Sequence, residues 1–145
     1  MAFGRRAAMA AIGIQFLLAV SLPAQNVETY KARLSAVPAD ARTRPQLAGI
    51  GSATAVLSGA KLTVTGSFDG LLSPASMAQL HAASAAGVRG PVIHDLTIAQ
   101  APSGSITGSI DLTPPQIESL RKGGLYIQIH SQKAPDGVLW GWLVR

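Results

Sequence analysis

From residue 28 to the C-terminus, apolar and polar residues alternate in short runs, and glycine or proline interrupts the runs every 8–15 residues. Side chains two apart share a face of an extended strand, and the period of a helix cannot satisfy such a pattern. Residues 28–36 alternate Tyr30, Ala32 and Leu34 against polar neighbours. Residues 60–68 place Leu62, Val64, Gly66 and Phe68 on one side, after a Gly-rich run over 47–57 and a turn at Ser58-Gly59. Further strands are predicted over 77–82, 92–99, 105–112, 125–131 and 138–145. Only residues 113–122 read as helix: Thr113 can cap, Pro114 suits the first turn, Gly123 can terminate, and Ile117 and Leu120 face inward. The sum is an all-β domain of seven or eight short strands with one short helix, folded as an antiparallel sandwich or barrel.

Composition narrows the class. The chain has 145 residues, enough for one core but not two. Charged residues are 13% of it, about half the share in an average soluble domain. There is no cysteine, so disulfides, thiolate metal sites and cysteine nucleophiles are excluded. The formal charge is +5, falling to +3 without Arg5 and Arg6, and the remaining basic residues are scattered. No basic stripe of the kind that binds nucleic acid is present.

Residues 1–24 have the layout of a secretory signal peptide: Arg5 and Arg6, an apolar run over 7–22, and the small residue Ala24 before Gln25. The apolar run is too short and interrupted for a stable membrane span. The expected mature domain is 25–145, periplasmic or secreted.

Three histidines are candidate metal ligands. Gln79 and His81 share a strand face, as do Gln128 and His130, so two histidine-bearing strands can meet; His94 follows across a loop. Neutral imidazoles suit copper or zinc. The stronger reading of each histidine is a group that hydrogen-bonds the backbone of a neighbouring strand or loop, and His94 beside Asp95 reads as a solvated pair. Trp140 and Trp142 alternate on the last strand. They belong either to the core or to an exposed stripe for a partner, with Tyr126 on a neighbouring strand extending it. No catalytic motif is present: Gly-x-Ser-x-Gly, the phosphate loop and the dinucleotide fingerprint are all missing.

Two stretches resemble the CHRD (chordin-type) domain family. One is Gln79-Leu80-His81 followed by Gly87-Val88-Arg89-Gly90-Pro91-Val92. The other runs from Gly124 through Tyr126, Gln128, His130 and Ser131 to Pro135-Asp136-Gly137 and Gly141. The sequence departs from the family pattern at Gln79, where the first histidine of a pair stands, and at Val138 and Trp140, which replace a glutamate and an arginine. The family's histidine strands also look like those of copper-zinc superoxide dismutase, but Gln79 replaces one copper ligand, so dismutase activity is not expected. The resemblance implies an immunoglobulin-like, antiparallel Greek-key β-sandwich of a secreted protein, and that is the fold expected. The function expected is a non-catalytic binding or structural module of an envelope or extracellular assembly, with a protein partner and no cofactor. The alternative is a periplasmic copper- or zinc-binding protein.

Overall fold

The computed structural model describes residues 18–23 and 25–145; most of the expected signal peptide lies outside the described residues. Eight antiparallel strands form the body: β1 (Val27–Ala36), β2 (Ile50–Ser58), β3 (Lys61–Asp69), β4 (Ala75–Ala82), β5 (Val92–Ile98), β6 (Gly104–Asp111), β7 (Leu125–Ser131) and β8 (Leu139–Trp142). A helix, α1 (Pro114–Arg121), links β6 to β7.

The neighbour order is β1-β2-β3-β6-β5-β4-β7-β8, and β8 returns to β1. Two Greek-key crossings are contained in this order. The meander β4-β5-β6 places β6 beside β3, and the chain then crosses through α1 to lay β7 beside β4. The expected open sandwich is corrected to a closed barrel. β1 pairs with β2 along most of its length but turns its end to β8 through Ser35↔Trp140 and Ala36↔Leu139. β5 likewise pairs with β4, then with β6 through Thr97↔Thr107 and Ile98↔Ile106. Strands that pass from one layer to the other make the corners, and closure removes the exposed edges of a sandwich.

The expected alternation governs burial. Tyr30, Ala32 and Leu34 of β1, Leu62 and Val64 of β3, and Leu125, Ile127 and Ile129 of β7 are all buried. The barrel core gathers these, Tyr30 included, with Leu80, Ile106, Leu139 and Leu143. The β2–β3 turn sits one residue later than expected: Ser58 pairs with Lys61, and Gly59 takes the positive φ of +62° that a two-residue hairpin requires. Helix α1 begins at a capping box, in which the Thr113 side chain accepts from the Gln116 N–H while the Gln116 side chain accepts from the Thr113 N–H. Leu120 buries the helix against the barrel.

Glu28 ties three parts of the chain together. Its carboxylate accepts from Arg121, in the last turn of α1, and from Arg145, each at 2.8 Å, and from the Tyr30 hydroxyl. These bonds, that from Arg121 foremost, lower its pKa from the ordinary 4.5 to about 2. A carboxyl depressed by folding stabilises above its unfolded pKa and loses that contribution as pH falls through the folded one. Glu28→Gln is therefore expected to lower the melting temperature at neutral pH. The gap to the unsubstituted protein should close between pH 4.5 and about 2, measured by thermal unfolding across that range. A gap unchanged down to pH 2 would contradict the ion-pair account.

Candidate functional site

The outer face of β4, β7 and β8 departs from the polar surface that alternation leads one to expect. Register aligns His81, Tyr126 and Trp142 in one row, Gln79, Gln128 and Trp140 in the next, and Met77 with His130 in a third. These positions alternate with core residues, so they point away from the barrel interior. Yet Tyr126, Gln128 and His81 are only 1%, 3% and 8% exposed.

Two loops cover them. The β4–β5 loop brings Gly90 over the first row. The His81 Nδ1–H donates to the Gly90 carbonyl at 2.8 Å. The Tyr126 hydroxyl accepts from the Gly90 N–H at 3.1 Å and donates to its carbonyl at 3.2 Å. The β7–β8 loop covers the other rows. The His130 Nδ1–H donates to the Pro135 carbonyl at 2.8 Å, and the Gln128 amide donates to the Asp136 carbonyl at 3.0 Å. Glycine allows the second closure: a Cβ at Gly137 would lie 2.5 Å from the Gln128 amide nitrogen.

A carbonyl oxygen can only accept, so each Nδ1 carries a proton, and a ring without a second proton presents a bare Nε2. Burial lowers the His81 pKa, and the nearby charges of His130 and Arg89 lower it further, against an opposing lift from the Gly90 bond. His81 is thus held as neutral imidazole.

The histidines divide. His81 and His130 stand on paired strands of one face. His94 is opposite Leu80, whose side chain lies in the core, so it belongs to a different row. Asp95 accepts from the Gln79 amide at 2.9 Å, so the histidine–aspartate pair expected there gives way to a Gln79–Asp95 bond. Among the described residues no three His, Cys, Asp or Glu side chains gather as a metal site.

The aromatic residues are also sorted. Trp140 and Trp142 lie on the outer face, each partly buried, and their ring centroids are 5.9 Å apart. Tyr126 does not extend an exposed stripe; it lies beneath, 4.3 Å from Trp142 and stacked on His81 at 4.6 Å. Arg89 covers Trp140, its guanidinium 5.3 Å from the ring. Val138, one of the departures from the family pattern, is fully buried in the core. Sequence patterning did not single out Arg89 or Gln128. The parity of Gln128 with His130 was visible, but the loop that buries it was not.

Among the described residues, no helix is long and apolar enough to cross a membrane. The sequence model of the CHRD domain family matches residues 30–143, nearly the whole chain. No curated protein and no solved structure matches.

Proposed function

The chain belongs to the CHRD domain family, and on that premise we propose that it is a non-catalytic module of the periplasm or extracellular space that binds a protein partner. The observation that carries this reading is the pair Trp140 and Trp142 on the outer face, with Tyr126 beneath and Arg89 above. Tryptophan, tyrosine and arginine are the residue types that concentrate binding energy at protein interfaces. The support is rigid, because Tyr126 is fixed by two hydrogen bonds and a stacked ring. Indoles held in place lose little side-chain freedom when a partner docks. The scattered basic residues give no reason to expect nucleic acid, and removal of residues 1–24 would leave the domain without its apolar leader.

The test is recovery of a partner from envelope or extracellular extract by the tagged chain, compared with Trp140→Ala and Trp142→Ala. Truncating a central interface tryptophan costs about 2 kcal/mol or more, roughly thirtyfold in Kd. At least one variant should therefore lose the partner that the unsubstituted chain retains. Equal recovery by all three would overturn the assignment of this surface.

A further inference from the structure

We propose that His81, Gln128 and His130 form a binding site for one copper ion, held by His81 Nε2, Gln128 Oε1 and His130 Nε2. The site adjoins the partner surface through the His81–Tyr126 stack, and the two readings are told apart because metal titration and partner recovery are separate measurements.

Among the described residues, these are the three buried side-chain atoms without a hydrogen-bond partner, and all three lie on one face of two paired strands. An unpaired buried polar atom costs about 1–3 kcal/mol, and folded proteins rarely leave one unmet. All three are acceptors. The two Nδ1 protons are committed to the Gly90 and Pro135 carbonyls, and the Gln128 amide nitrogen donates to the Asp136 carbonyl. One water molecule donates two protons and would leave a third acceptor bare. A cation accepts lone pairs from all three at once.

Register supplies the span. His81 is opposite Tyr126, four residues from His130 along β7, so their Cα atoms are about 14 Å apart. Gln128 lies midway, so one ion shared by the three requires both imidazoles to lean toward it. A histidine that donates its second ring N–H to a backbone carbonyl has the outer-shell arrangement of a metal ligand, with tautomer and orientation fixed.

Donor chemistry selects the metal. Two imidazoles and an amide oxygen are a poor set for calcium or magnesium, which take oxygen ligands. Imidazole suits zinc and copper, and copper stands at the top of the affinity order for divalent ions. None of the three donors is anionic, so a singly charged cuprous ion is desolvated at less cost than a divalent one. The Met77 thioether, a soft donor, stands opposite His130 in register. A cleft lined by Leu47, Arg89, Pro135 and Asp136 reaches the loop that carries the His130 and Gln128 acceptors.

The experiment is a titration of the purified chain with Cu(I) under reductant, Cu(II) and Zn(II). Tryptophan fluorescence and thermal unfolding are the readouts; Trp140 is the register partner of Gln128. One equivalent of copper should saturate the fluorescence change and raise the melting temperature. His81→Asn and His130→Asn keep a donor near the Nδ1 position and remove Nε2. Each should weaken copper by more than the roughly 10–100-fold that loss of an outer partner costs, whereas His94→Asn should leave it unchanged. Absence of one-equivalent binding, or binding that survives both asparagine variants, overturns the site. Zinc held more tightly than copper overturns the choice of metal. If the variants do not fold, X-ray absorption of the copper-loaded, unsubstituted chain decides: the imidazole scattering pattern supports the site, and its absence overturns it.

Discussion

Gly90→Ala is expected to destabilise the protein by about 3 kcal/mol or more, a large fraction of the 5–15 kcal/mol that holds a domain folded. The added Cβ would lie 2.1 Å from the Ala82 carbonyl oxygen, 2.6 Å from its carbon and 2.7 Å from the Ala83 Cα. Every one of these is backbone, at the end of β4, and none can swing aside as a side chain can. Overpacking alone costs roughly 1–3 kcal/mol. Gly90 also gathers three hydrogen bonds, from the His81 ring and to and from the Tyr126 hydroxyl. Displacing it leaves buried polar groups unpaired at about 1–3 kcal/mol each. Denaturant unfolding with an unchanged m-value should report the loss as a lower midpoint. Gly87→Ala is the control: it lies three residues away in the same loop, where a Cβ meets nothing within 4 Å, although its φ of +80° imposes a smaller local strain. Equal effects of the two substitutions would show that Gly90 is not the anchoring point.

Different parts of this fold were legible to different degrees, and the difference is one of range. β7 spans Leu125–Ser131, the residues its β-branched and aromatic content predicts, because strand propensity is carried by each residue locally. Thr113 and Pro114 signal the start of α1 for the same reason, and the capping box that Thr113 completes with Gln116 lies within four residues. Closure of the barrel is not local. It depends on two short seams, Ser35 and Ala36 against β8 and Thr97 and Ile98 against β6. The sequence at these corners looks like that of any strand end, so a sandwich and a barrel predict the same pattern of alternation.

The candidate site shows the same division. That His81 and Gln79 share a face, and His130 and Gln128 another, follows from parity alone. That the two faces are one surface requires the β4–β7 pairing, which α1 makes by carrying the chain across the barrel end. Burial of the surface requires the loops of residues 83–91 and 132–138, whose Gly-Pro and Pro-Asp-Gly content announces turns without saying what they cover. Hence Tyr126, which alternation left open between the core and an exposed stripe with the tryptophans, is at 1% exposure the centre of a second, smaller core outside the barrel.

That second core makes Tyr126→Ala the other substitution with a large expected effect, about 3–5 kcal/mol, the cost of removing a buried aromatic side chain. The ring is in contact with His81, Trp140 and Trp142, so its loss opens a cavity beneath both indoles and removes the stacking partner of the imidazole. Tyr126→Phe separates packing from hydrogen bonding. It keeps the ring and leaves the Gly90 N–H without its hydroxyl acceptor, for about 1–3 kcal/mol. The tryptophans report which term dominates. With the phenylalanine the indoles stay seated, and their emission should change little while the unfolding midpoint falls. With the alanine they lose their support, and emission should shift to the red and become more accessible to acrylamide. A red shift of equal size in both variants would mean that the Gly90 loop, rather than the ring, holds Trp140 and Trp142 in place, and the rigid partner surface would then depend on a loop instead of on the strands.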